Sequence, residues 1–278
     1  MTAESEGRDA ADRFRRDHGL GVQPLGDLVT VIEQTADVDV AIVDVEPNEH
    51  GMAMRDPARN VVFMAVARTP HSMRQRSTLA HELGHLIFDD WTNPGQEQWG
   101  GRTGEEMRAD AFARHLLAPS AGIRKFLGDK RPVTSADLSA VVQRFLVSPA
   151  IAAIAMHDAQ YIGEVVKNEW MGLTAHFLAA RFGWSDQYRA LQEESNRIRA
   201  PQRLLTRALQ GYLENVVSVQ TLATLRGVDP KKIEAELNEA GLTPRNVEPI
   251  VWAASTDLPE VDLDLCDLDE DTVTNPPG

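Results

Sequence analysis

His81-Glu82-Leu83-Gly84-His85 sets two imidazoles four residues apart, with a carboxylate beside the first. On an α-helix each residue turns by about 100°, so His81 and His85 share one face about one turn apart. Imidazoles at that spacing can converge on one zinc ion, with Glu82 beside the place of a coordinated water. Zinc with an open position lowers the pKa of such a water to about 7, and a nearby carboxylate can take its proton as general base. The competing reading is a core helix with two surface histidines. Two features weigh against it: Leu79, Leu83 and Leu86 form an apolar face opposite the histidines, and a further acidic candidate follows downstream.

Two histidines need a third protein ligand, with water completing the tetrahedron. Glu106 is our choice. It lies on the next predicted helix, Glu105 to Leu117, and Asp110 stands one turn along the same face. Asp110 can then accept the outer N–H of a ligand histidine and fix its tautomer. Glu105 is the rival, but it lies about 100° around the helix and breaks register with Asp110. His115, nine residues past Glu106, falls on the opposite face and reads as solvated. His18, His50 and His71 are loop or terminal residues without a paired ligand, although His71 is close enough in sequence to aid an oxyanion. Cys266 is the only cysteine, which excludes both a disulfide and a thiolate zinc site. No Ser/His/Asp arrangement or phosphate-binding glycine loop is evident.

The elements that must position these groups are legible from periodicity. Residues 9–17 and 25–36 read as helices. Val40–Val45, Gly51–Met54 and Val61–Val66 read as three strands, with a turn at 56–60. The last of these could accept an extended substrate as an added strand. The helix carrying His81 follows Pro70 and ends at Asp89-Asp90. A polar, glycine-rich loop runs to Gly104. Further helices are predicted at 121–128, 135–146, 149–157, 186–198, 201–212, 218–226 and 230–240. The expected fold class is α+β: a small sheet plus helices, then a mainly helical C-terminal part.

With 278 residues there is room for one large domain or two small ones. We divide the chain into a catalytic domain at 1–165, a helical accessory domain at 166–250 and an acidic tail at 251–278, its last part from about 257 expected to be disordered. Trp170, Phe177, Phe182, Trp184 and Tyr188 would give the accessory domain an aromatic core. Net charge is -14, which opposes general attraction to nucleic acid, but no Lys or Arg follows Arg245, so much of that charge sits in the tail. Met1 to Arg16 is polar, without the apolar run of a signal peptide or membrane span, so a cytoplasmic protein without membrane association is expected.

His81-Glu82-x-x-His85 followed by Glu106-x-x-Ala109-Asp110-x-Phe112-Ala113-x-x-Leu116-Leu117-x-Pro119 closely resembles the ImmA/IrrE metallopeptidases, small zincin-like proteins of the gluzincin type. Gln75 to Ala80 resembles the family's lead-in and Phe145 to Ser148 its closing segment, so the likeness covers about 10–160. It implies one Zn2+ held by His81, His85 and Glu106, with Glu82 as base. An Asn common in the family is Asp110 here, which keeps the hydrogen-bonding role. The resemblance also implies an endopeptidase acting on a protein, a helix-turn-helix repressor of the Xre type, in bacterial or phage regulation or stress response. The alternative is a metal-binding regulator that sequesters the repressor or binds DNA without cutting.

Direct DNA binding has one feature for it and one against. Ala223, Gly227 and Ile233 fit a helix-turn-helix pattern. The would-be recognition helix carries Lys231 and Lys232 but also Glu234, Glu236 and Glu239, so phosphates would be repelled as much as attracted. A small helical module for protein contacts is the favoured reading.

Overall fold

Two runs rich in β-branched residues form β1 (Val38–Val43) and β3 (Val61–Ala67), and β2 (Gly51–Asp56) lies between them in the chain. A computed structural model describes residues 2–45, 51–56, 58, 61–90, 103–129 and 131–245. The loop expected up to Gly104 falls largely outside them, as does the acidic tail. In space the order is β1-β3-β2, with β3 parallel to β1 and antiparallel to β2. Residues directly opposite one another share a face, so Val40, Met64 and Ala53 line up, as do Ile42, Val66 and Gly51. Val40, Ile42, Met64 and Val66 are buried on that side.

This order corrects one expectation. β3 is paired along both edges, so Val61–Val66 has no edge left to accept a guest strand. The outer edge of β1 is met by the chain itself: Ile42 N–H donates to the Arg199 carbonyl at 2.8 Å and Arg199 N–H returns to Ile42 at 3.0 Å. β2 forms the other edge.

Helices α1 (Ala3–Asp17) and α2 (Leu28–Thr35) precede the sheet, and α3 (Ser72–Phe88) and α4 (Gly104–Leu117) follow it. Then come α5 (Ser120–Leu127), α6 (Ser135–Phe145), α7 (Pro149–Asp158), α8 (Glu164–Met171), α9 (Ala175–Phe182) and α10 (Ser185–Ser195). The chain continues through α11 (Gln202–Leu213), α12 (Val219–Arg226) and α13 (Pro230–Glu239). The fold is therefore α+β, a three-stranded mixed sheet with helices and a mainly helical C-terminal region. No single helix among the described residues is long and apolar enough to cross a membrane. The apolar pair α6 and α7 is bent by 108° at its junction, and both helices contribute buried residues to the core.

One apolar cluster runs from Ala10 through Leu79, Leu83, Phe112, Leu116, Phe145 and Met156 to Tyr188. Burying a leucine side chain fully, as at Leu83, contributes about 1.5–3 kcal/mol. Trp170, Trp184 and Tyr188 belong to this same cluster rather than to a core of their own. Trp184 also donates its indole N–H to Ser139 at 2.9 Å, which ties α10 to α6. A separate, smaller cluster forms from Leu222, Ala223, Ile233 and Leu237, backed by Leu209 and Tyr212 of α11. Gly227, left-handed at φ 61°, caps α12 at the turn into α13, as the helix-turn-helix pattern requires.

Two arginines, Arg15 buried and Arg76 half-buried, bind carbonyls rather than carboxylates. Arg15 donates to the carbonyls of Leu116, Gly21 and Gln23, and burial lowers its pKa to about 10. Arg76 donates to those of Leu146, Gly26 and Leu25, with its pKa lowered to about 10 for the same reason. Arg15 thereby joins α1 to the last turn of α4, and Arg76 joins α3 to the loop before α2 and the end of α6.

Candidate metal centre

α3 is a 17-residue helix whose Leu79, Ala80, Leu83 and Gly84 are buried, leaving His81 and His85 on the partly open side. Gly84 costs about 1 kcal/mol of helix propensity relative to alanine. What it permits is close approach: a Cβ there would lie 3.1 Å from Ala109 Cα and 3.2 Å from Phe112 Cδ1. α4 therefore crosses α3 at the turn that carries both histidines. Thr103 caps α4 by accepting the Glu106 N–H at 3.2 Å, which fixes its first turn beside them.

Three donor atoms converge. His81 Nε2 and His85 Nε2 are 3.0 Å apart; Glu106 Oε2 lies 3.3 Å from the first and Oε1 3.4 Å from the second. Ligands about 2.0–2.1 Å from a tetrahedral ion stand about 3.3 Å from one another, so the triangle has the right size for one. The proton positions agree. His81 Nδ1 donates to Asp110 Oδ1 at 2.9 Å, and His85 Nδ1 faces Asp90 Oδ2 at 3.5 Å. With both ring protons assigned to the carboxylate sides, two Nε2 lone pairs and a carboxylate oxygen point at one spot. That arrangement repels itself unless a cation lies between, so the donor set fits a divalent metal.

The surroundings tune these groups. Burial alone would make His81 less basic, but the hydrogen bond it donates to Asp110 and the charges of Asp110, Glu106 and Glu82 outweigh it and hold its pKa above the usual value. Burial pushes the Glu82 carboxyl up, aided by Glu106, against the pull of His81 and His85. Glu82 is also wedged by β2: a Cβ on Gly51 would come within 2.9 Å of its Cγ and Oε1 and of Thr78 Cγ2. Only glycine lets this strand run so close to the carboxylate. These residues line a cleft of about 770 Å³ between β2, α3 and the start of α4.

The structure brings His81, Glu82, His85, Glu106 and Asp110 together as the spacing predicted, and it is Glu106 rather than Glu105 that reaches both imidazoles. His71 is the N-cap residue of α3 and is not among the cleft-lining residues; His18 packs its ring 4.5 Å from that of Phe14. His50 lies outside the described residues. His115 is not solvated: it is 6% exposed, and its Nε2 is 2.8 Å from Glu4 Oε1. Asp90 is the group that sequence reasoning missed. Its carboxylate, 8% exposed, faces His85 on one side and accepts from Arg108 on the other. The chain reversal at Asp89, left-handed at φ 58°, returns it to the histidine.

No curated protein matches the chain. Residues 35–157 match the family model Peptidase M78, described as the IrrE N-terminal-like domain. That segment spans the whole sheet, both helices of the donor cluster and the core helices through α7. Residues 35–157 are thus similar to the IrrE N-terminal-like domain of the M78 metallopeptidases, a likeness that supports a protease acting on proteins.

Proposed function

We propose that the chain is a zinc endopeptidase in which His81, His85 and Glu106 hold the ion and Glu82 is the catalytic base. The observation that carries this reading is the three-donor triangle with Glu82 and β2, the outer strand of the described sheet, beside it. Bound zinc would supply Lewis acidity, polarising the scissile carbonyl and acidifying the attacking water. Glu82 takes the water's proton and delivers it to the leaving amine; its burial favours both transfers by keeping its basicity closer to neutrality. Asp110 and Asp90 hold the imidazoles in the tautomer that presents Nε2 to the ion. The edge of β2 lies along the cleft, and a substrate segment adding there as a strand would have its backbone aligned beside Glu82.

The substrate we propose is a helix-turn-helix repressor, cut in the cytoplasm. Residues 1–165 would carry the chemistry and 166–250 would serve as the accessory part, with α11–α13 contacting protein rather than DNA, given the mixed charge of α13. Glu82→Gln should retain one equivalent of zinc and lose cleavage by about 10²–10⁴-fold. Full cleavage by that variant would end the base assignment. Relief of repression by the same variant, without cleavage, would favour the sequestering alternative.

A further inference from the structure

The cleft wall is acidic beyond what the chemistry uses. Among the described residues, six carboxylates line it, from Glu82, Asp89, Asp90, Glu105, Glu106 and Asp110, and no Lys or Arg does. Arg108, behind the wall, neutralises Asp90. With a divalent ion and neutral imidazoles, the described lining still carries more carboxylates than positive groups in a concave space. Of the six, Glu106 is the ligand, Glu82 the base, and Asp90 and Asp110 orient histidines. Glu105, like Asp89, has none of these tasks. It stands in the first turn of α4, one residue before the ligand, and lines the same cleft.

Resting on the peptidase reading, we propose that the cleft selects a basic substrate segment and that Glu105 is a specificity-determining residue for a Lys or Arg side chain beside the scissile bond. An extended segment added to β2 projects side chains alternately to the two sides. Those directed into the cleft meet carboxylates, and an acidic side chain there would be repelled by all of them. A cationic side chain passing into this partly open space keeps much of its hydration and gains from the carboxylates it meets, with Glu105 at the start of α4 among them. Met52 of β2 supplies apolar wall against which the stem of a long side chain can lie.

Two arms test this with the full chain. In the first, the zinc-loaded protein is incubated with a mixed peptide library and the cut positions are read by mass spectrometry. Lys and Arg should be enriched within two residues of the cut, Asp and Glu depleted, and Glu105→Gln should weaken the preference by roughly two- to five-fold. In the second, Glu82→Gln protein is titrated by fluorescence anisotropy with two labelled peptides differing only in Lys or Glu at the central positions. The Lys peptide should bind at least about ten-fold tighter, with the gap shrinking as salt is raised and narrowing or reversing in Glu105→Lys. Equal enrichment of basic and acidic residues, equal binding of the two peptides, or a preference untouched by either Glu105 variant would overturn the proposal while leaving the peptidase intact. If zinc-loaded protein cuts no peptide, the peptidase reading fails, and the binding arm still decides whether the cleft selects basic segments.

Discussion

Two clusters of histidine and carboxylate flank α4, and they have opposite character. On one face His81, His85 and Glu106 meet, with Asp110 and Asp90 behind them. On the other, Glu4, His115 and Asp158 bring their ligand atoms within 4.8 Å of one another. Both bring imidazole and carboxylate atoms within the same distance; the counter-charges differ. Glu4 is already taken by Arg114 and His115, and Arg8 and Arg124 line the same hollow. A cation would have to displace a guanidinium there and would face others nearby. In the first cluster Arg108 pairs with Asp90, behind the histidine, and no Arg or Lys lines the cleft among the described residues. Proximity of donors is thus not enough to make a metal site. What decides is whether the lone pairs already have a partner.

The sharpest way to break this comparison is to delete a histidine from each cluster and count bound zinc. His81→Ala should drop the stoichiometry from about one to near zero with loss of all cleavage, whereas His115→Ala should keep one ion. Metal analysis after dialysis reads both, and an ion lost from the His115 variant alone would invert the assignment. Next in size is Gly51→Ala, whose methyl must push Glu82 from its place. We expect kcat to fall on the order of 10²-fold with zinc content unchanged. Smaller again, Asp110→Asn and Asp90→Asn should each weaken zinc affinity about 10–100-fold, measured by competition with a chelator. Finally, Glu4→Gln and His115→Ala should act on stability only. A loss of about 1–3 kcal/mol, read from denaturant midpoints, is expected with zinc affinity unchanged.

The donor face was legible because it is local. His81, His85, Glu106 and Asp110 obey the helical period within two helices, and Gly84 sits between the histidines where the second helix needs room. Asp90 was not legible, because it reaches His85 through a left-handed reversal at Asp89 that no periodicity announces. The available edge was misread for a related reason. Alternation marks β2 and β3 equally as strands, but which one lies in the middle is set by pairing between distant segments. His115 was placed on the correct side of α4, away from Glu106, yet that side is covered by α1, a segment about 110 residues earlier in the chain. The aromatic residues at 170–188 marked a change in composition; packing nonetheless merged them with the first core.

The bond from Arg15 to the Leu116 carbonyl lies far from the donor cluster, yet it sets a mechanical limit on it. From Glu106 to Leu116 the axis of α4 runs about 15 Å. Pivoting that rod by about 4° at its anchored end would swing the ligand carboxylate through about 1 Å, a displacement on the scale at which turnover falls about 100-fold. A guanidinium distant from the donor atoms therefore acts as the bearing on which their geometry turns.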